Sequence, residues 1–366
     1  MKKIFNGFKY LLSTLVLTSS TAQAAEQLHI YNWSDYIAAD TIKQFEQKTG
    51  IDVVYDVYDA NEVMEAKLLA GRSGYDLIFP TARPFAERHI KAGLYLPLDK
   101  QQLQGLDNLD PAIMSSLAEI DADNAHLIPY MWGSSGIGYN VKKVREILGD
   151  DMPLDSWRLL FDPEIVARLA SCGVTLMDDP TEVLVAANIY RGAETDDFSK
   201  ASIKAASEVV TGVRSHIRYF HSSQYINDLA NGDICVAHGY SGDVLQARDR
   251  AAEAGNGVEI AYVVPAQGAL MWTDVMAIPA DAPNPTAAHA FINYLLQPEV
   301  IAPITDYVAY ANANLAATEQ VAADIRENAG IYPPAATRAK LKITPTPSER
   351  QIRDLNRSWT RVKTGH

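Results

Sequence analysis

The sequence predicts an α/β protein built as two domains, and three observations carry that expectation. Apolar β-prone runs alternate with helical patterns in the order β-α-β-α-β between Leu28 and Phe79, the signature of a mostly parallel sheet. A chain of 366 residues is longer than one hydrophobic core ordinarily serves. A glycine-dense apolar run from Pro129 to Asn140 reads as extended chain crossing between two domains.

The elements follow in order. Leu28-His29-Ile30-Tyr31 is a short strand. Asp40 caps a helix that places Ile42, Phe45 and Thr49 on one face and stops at Gly50. Ile51 to Val57 is rich in β-branched and aromatic residues and predicts a second strand. Asn61 caps a helix with Val63, Ala66 and Ala70 at helical spacing, closed by Gly71. Tyr75 to Phe79 is a third strand, ended by Pro80. Asp155-Ser156-Trp157 predicts a capped helix start. Gly173 to Met177 is a strand, and Glu182 falls in the first turn of the helix after it, where the helix dipole favours an acid. Ile234 to Ala237, Gly257 to Pro265 and Trp272 to Pro279 are further β-prone runs, and helices dominate from Ala287 onward.

The first residues set the expected compartment. Lys2, Lys3 and Lys9 precede a short apolar stretch, and Ala22-Gln23-Ala24 is a small-x-small cleavage site. A signal peptide over residues 1–24 and export are therefore expected. No later segment approaches the roughly 20 apolar residues of a membrane span. In an oxidising compartment the two cysteines, Cys172 and Cys235, suggest one disulfide, with two buried thiols as the alternative. The formal charge of −13 becomes −16 without the three leader lysines. There is no basic stripe, which argues against nucleic acid as a partner, and an acidic shell suits a cationic ligand.

Three runs place an aspartate close behind an aromatic residue with a hydroxyl between them: Trp33-Ser34-Asp35-Tyr36, Tyr240-Ser241-Gly242-Asp243 and Trp272-Thr273-Asp274. A carboxylate beside an aromatic face suits an organic cation with an aliphatic body. The acid takes the ammonium in a charge-assisted hydrogen bond, and the ring covers the methylenes. A single such run is commonly a core aromatic beside a turn aspartate. Here Trp33, Asp35 and Thr81 follow the first and third strands. They are expected on the edge of the sheet where ligands bind open α/β folds. Catalytic patterns are lacking. There is no HExxH, no histidine pair at metal-ligand spacing, no phosphate-binding glycine loop and no nucleophile elbow. No enzyme activity, cofactor or metal is expected.

Longer runs carry a resemblance. These are Tyr31-Asn32-Trp33-Ser34-Asp35-Tyr36-Ile37, the stretch from Tyr219-Phe220-His221-Ser222-Ser223 through Gln224-Tyr225-Ile226-Asn227-Asp228, then Asn231-Gly232-Asp233-Ile234-Cys235, and Tyr310-Ala311-Asn312-Ala313-Asn314. With them the chain resembles, over essentially its whole exported length, the periplasmic polyamine-binding proteins of ABC transporters. That resemblance implies a two-lobed periplasmic binding protein fold of type II, each lobe a mixed, mostly parallel sheet flanked by helices. The expected division gives residues 25–133 with 256–300 to one lobe and 134–255 with 301–366 to the other.

By the same resemblance, Trp33, Tyr36, Tyr240, Trp272 and Tyr310 match an aromatic box. Asp35, Glu182, Asp243 and Asp274 match the acids that hold amino groups, and Ser34 and Thr81 match polar lining positions. Cys172 and Cys235 match the family's disulfide pair. Arg83-Pro84 stands where small residues are expected, as a one-residue insertion would place it. Tyr240 stands where the family often has Trp. Trp272 resembles spermidine-preferring relatives, where putrescine-preferring ones have a smaller aromatic. The implied function is capture of spermidine or putrescine, by a monomer, for an ABC permease in the inner membrane. A polyamine-sensing partner of a membrane receptor and an exported enzyme are the alternatives.

Overall fold

A computed structural model describes residues 26–343 and 346–365. The expected leader at 1–24 lies outside the described residues. β1 (Gln27–Trp33), α1 (Thr41–Thr49), β2 (Asp52–Tyr58), α2 (Asn61–Leu69) and β3 (Leu77–Ile78) follow in the expected order. Both neighbours pair with β1 in parallel, giving the order β2-β1-β3. Alternation along β1 buries Leu28 and Ile30 completely against Phe45 of α1 and Leu77 of β3. Asn61 differs from its expected role as a cap. It is the first residue of α2, behind Ala60. Its amide turns away from the helix end to bond Thr81.

The rest of the chain supplies β4 (Ile128–Asn140), β5 (Val174–Leu176), α3 (Pro180–Tyr190), α4 (Lys200–Val213) and β6 (Ile217–Phe220). α5 (Tyr225–Asn231), β7 (Val236–Tyr240), α6 (Ser241–Ala254), β8 (Ile260–Val263) and β9 (Ala269–Met276) come next. α7 (Pro298–Val308), β10 (Ala311–Asn312), β11 (Leu341–Lys342) and α8 (Glu349–Thr364) complete it. The second sheet runs β11-β9-β4-β7-β5-β6, with β8 and β10 also paired to β4. Isolated bridges from Ile78 to Ala277 and from Thr81 to Asp274 connect the first sheet to the end of β9.

The glycine-dense run is therefore a strand, and it does cross between lobes. Ile128 to Trp132 pack in the core of the first lobe, and Ile137 packs in that of the second. β9 crosses beside it, antiparallel, with Ala269 and Leu270 in the second core and Trp272 to Met276 in the first. Packing departs from the expected lobe division. Ile260 sits in a small core with Tyr225 and Val244, so the chain after 256 stays with second-lobe elements. Ile301, Ile304, Val308 and Ile331 pack in the first core. The helix before α7 ends at Leu295, and so short a connection keeps α7 against the same lobe. The chain returns to the second core at Leu341 of β11, which pairs with Ala269, and then with Leu355, Trp359 and Val362 of α8. There the Trp359 indole N–H donates to Asp178 at 2.7 Å.

Cys172 and Cys235 form a disulfide across a separation of 63 residues, joining the segments that lead into the neighbouring strands β5 and β7. Closing a loop of that length in the unfolded chain stabilises the native state by roughly 3–4 kcal/mol. Cys172→Ser should lower the free energy of unfolding by about that much. The check is a denaturant titration against the oxidised wild-type protein, and matching midpoints would show that the bridge contributes nothing.

Candidate ligand-binding site

The first lobe's half of the site is set by hydrogen bonds between strand ends. Trp33 closes β1, and its indole N–H donates to the Phe79 carbonyl at 2.8 Å. Its ring rests on Tyr58 with centroids 4.7 Å apart. The Ser34 N–H donates to the Tyr58 carbonyl at 2.9 Å. Below them runs a polar chain. The Asn61 amide donates to the Thr81 hydroxyl at 3.0 Å, and the Thr81 hydroxyl donates to Asp274 Oδ1 at 2.7 Å. The Thr81 N–H donates in return to Asn61 Oδ1 at 3.2 Å. Asn61, read from sequence as a helix cap, instead fixes the rotamer of a hydroxyl that holds an acid. After Thr81, residues Ala82–Ala86 form a π turn in which the Ala86 N–H donates to the Thr81 carbonyl. Arg83 is extended within this turn, with φ −122° and ψ 133°, and the Arg83-Pro84 peptide is cis.

The second lobe contributes two helix starts. Asp243 lies in the first turn of α6, and each of its oxygens accepts from a tyrosine hydroxyl, Tyr310 and Tyr225, both at 2.7 Å. Glu182 lies in the first turn of α3. The cap of that helix is Asp179, which accepts from the N–H groups of Thr181 at 2.8 Å and Glu182 at 3.0 Å. Glu182 Oε2 is buried without a partner.

Burial dominates the electrostatics. Glu182 is pushed up to about 8 by desolvation and then by the neighbouring Asp179 carboxylate. Asp274, only 4% exposed, rises to about 7 through desolvation, which the bond from Thr81 and the nearby Tyr36 hydroxyl offset in part. Asp243 rises to about 6 for the same reason, offset by Tyr310 and Tyr225. Among the described residues none of these three acids forms a salt bridge. A buried acid supplied with neutral donors and no cation favours a cationic ligand.

Aromatic rings close the space between the acids. Tyr240 and Trp272 meet edge to face at 5.5 Å, and Trp272 meets Tyr310 at 5.2 Å. Trp33 faces Tyr240 at 6.5 Å from the other side of the cleft. The indole of Trp272 lies against Gly133, its pairing partner in β4. A Cβ at Gly133 would fall 2.7 Å from the indole Cζ2, so the crossing strand must be bare there for the box to hold tryptophan.

The cleft encloses about 770 Å³, part of it open to solvent, and both lobes line it. Ten of the eleven ligand residues expected from sequence surround it: Trp33, Ser34, Tyr36, Thr81, Glu182, Tyr240, Asp243, Trp272, Asp274 and Tyr310. Asp35 is not among the lining residues. It adopts a left-handed φ of 55°, and its carboxylate pairs with Arg250 of α6 at 2.8 Å on the cleft rim. The turn that closes β1 carries the side chain past the cavity. Its expected role as an amine ligand gives way to a bond between lobes. A second contact between lobes joins His221 Nε2 to Asp59 at 3.7 Å.

Sequence reading missed Asp59, Asn61, Asp179, Ser222 and Ser223 among the lining residues. The signals were present for two groups. Asp179-Pro180-Thr181-Glu182 is a helix-start pattern with proline in the first turn. Ser222 and Ser223 lie inside the longest of the quoted runs. Asp59 and Asn61 carried none.

Comparison with known proteins agrees with this architecture. The model of the family described as bacterial extracellular solute-binding protein matches residues 40–331. The putrescine-binding periplasmic protein PotF of Escherichia coli is 50% identical over 371 residues, covering 100% of this chain and 98% of that one. The putrescine-binding periplasmic protein SpuD of Pseudomonas aeruginosa is 49% identical, with 100% of both chains covered. Among solved structures, a putative spermidine/putrescine ABC transporter from Listeria monocytogenes superposes with a TM-score of 0.83 at 30% identity. That match covers 93% of this chain and 100% of the other. Two lobes around a cleft, strands that cross between them and a full-length match to such proteins place this chain among the bacterial extracellular solute-binding proteins.

Proposed function

We propose that this protein binds a polyamine in the cleft between its lobes, in the periplasm, and delivers it to an inner-membrane ABC permease. The observation that carries the reading is the set of three desolvated carboxylates, Glu182, Asp243 and Asp274, without cationic partners inside an aromatic cleft. In this reading the acids take the ammonium groups, and Trp33, Tyr36, Tyr240, Trp272 and Tyr310 cover the methylenes. Ser34 and Thr81 line the polar wall, and Asp35 with Arg250 ties the lobes at the rim. One chain supplies both walls, so a monomer suffices to form the cleft.

The magnitudes suit a transport protein. Each cation–π contact contributes roughly 0.5–2 kcal/mol, and each charged hydrogen bond about 1.5–3 kcal/mol. Lost freedom and the work of closing the lobes offset much of that sum. A net binding free energy of about −8 kcal/mol or somewhat stronger, micromolar to submicromolar, is expected.

Putrescine is the first ligand to consider, because relatives about half identical over their full length are named for it. Spermidine is the second, favoured by the third acid: Glu182 stands on the opposite lobe from Asp274 with an unpartnered oxygen that suits a third ammonium.

Calorimetry with putrescine, cadaverine, spermidine and spermine tests the function, and absence of binding to all four would reject it. Asp274→Asn should weaken polyamine affinity by about 1.5–3 kcal/mol. Unchanged affinity in that variant would remove Asp274 from the binding set. Affinity should also depend on pH. A bound cation favours the carboxylate form, while alkylammonium groups stay charged below about pH 9. Binding therefore expels protons below the raised acid values of about 6, 7 and 8. Affinity should rise by at least about 100-fold from pH 5.5 to 8.5, and calorimetry in buffers of different ionisation enthalpy should detect proton release.

The stability of the empty protein should move the other way. Acids raised above their unfolded values stabilise the fold at low pH, and that contribution is lost as pH rises through 6 to 8. The gain in melting temperature on adding putrescine should accordingly be larger at pH 8.5 than at pH 5.5. An equal gain at both values would show that the acids do not change protonation on binding.

A further inference from the structure

Tyr225 lies in the longest sequence run quoted above and is not among the residues lining the cleft. It begins α5 and is fully buried in the small core beneath α6. Its hydroxyl makes two bonds at once. It donates to Asp243 Oδ2 at 2.7 Å and accepts from the Tyr240 N–H at 3.0 Å. Those two partners are an acid of the cleft and the main chain of a residue whose ring lines it, set three residues apart where β7 turns into α6. The Tyr225 ring has no room to shift. A Cβ on Gly239 would lie 2.6 Å from its Cε2 atom, so the backbone of β7 rests directly on the ring.

The other oxygen of Asp243 is held by Tyr310, which also accepts from the Asp243 N–H at 3.0 Å. Tyr310 lines the cavity and belongs to the first lobe's core. Tyr225 belongs to the same lobe as Asp243, so its bond is local to that lobe. The charged groups facing Asp243 are Asp35 and Arg250 at the rim, with Asp274 across the cleft. None of them replaces the hydroxyl as a donor to Oδ2.

We propose that Tyr225 is a positioning residue for ligand recognition, its single hydroxyl fixing the Asp243 carboxylate relative to the main chain at Tyr240 before a ligand arrives. The proposal rests on the polyamine reading above. It extends recognition beyond the residues that touch the cavity. Charge recognition on the second lobe then depends on one buried O–H group.

The test is calorimetry of Tyr225→Phe with putrescine and with spermidine. Affinity should fall about tenfold at pH 7.5, as loss of one hydrogen bond to a charged group implies. With one donor gone, the carboxylate form of Asp243 is less favoured, so the loss of affinity on acidification should begin at higher pH than in wild type. In an Asp243→Asn background the same substitution should cost less than about threefold, because its main partner has already changed. Tyr219→Phe, which removes a hydroxyl bonded to Asp228 away from the cavity, should leave affinity unchanged.

Wild-type affinity and pH profile in Tyr225→Phe, or an equal loss in both backgrounds, would overturn the proposal. If the variant melts below the assay temperature, Asp243→Glu tests the same geometry, since its longer side chain carries the charge past the Tyr225 hydroxyl. Wild-type affinity in that protein would likewise overturn it. Failure of the wild-type protein to bind either amine would reject the polyamine reading instead.

Discussion

The constraint on which the structure depends is the desolvation of carboxylates that the chain does not neutralise. Removing an acid from water is tolerated when hydrogen-bond donors surround it, and the donors here are neutral. Thr81 serves Asp274, while Tyr225 and Tyr310 serve Asp243. The cations nearby are committed elsewhere. Arg83 is bonded to Glu119 at 2.8 Å, Arg88 to Glu65, and Arg250 to Asp35 at 2.8 Å. Each arginine that could fill the cleft is held by an acid outside the trio. The cleft thus holds its buried acids without an internal counterion.

The fold supplies the geometry for that arrangement through two strands shared between lobes. β4 and β9 lie antiparallel and cross together. Trp272 and Asp274 therefore sit inside a paired strand rather than on a loop, and sheet pairing fixes their spacing. Asp243 and Glu182 are held differently, each in the first turn of a helix that begins at the cleft. The cleft accordingly combines groups fixed by sheet register with groups presented by helix starts on the opposite lobe.

Much of this was legible in sequence, for identifiable reasons. The β-α-β-α-β order was readable because its periodicities and stops are local. The crossing strand was readable because three glycines in an apolar run, Gly133, Gly136 and Gly138, suit closely packed extended chain. The acids and rings that line the cleft were legible through short aromatic–aspartate runs and longer resemblances. What escaped depends on direction and distance. Asp35 has the right type and neighbours, but a left-handed turn points it at Arg250. Asn61 has a capping residue's chemistry, but Thr81, twenty positions away, offers it a better bond. Where the chain changes lobes was not legible near 301, because Pro298 opens another helix and a proline at a helix start looks the same whether or not the chain has changed lobes.

The chain passes between lobes in β4, again in β9, and a third time on the way from the first core to α8. An odd number of passages leaves β1 and α8 in opposite lobes. The distance between these two elements is therefore a coordinate of lobe motion, and a pair of fluorophores attached to them would report opening and closing without disturbing the cleft. The same topology makes each lobe discontinuous, so cutting the chain at one passage does not free either lobe from the other.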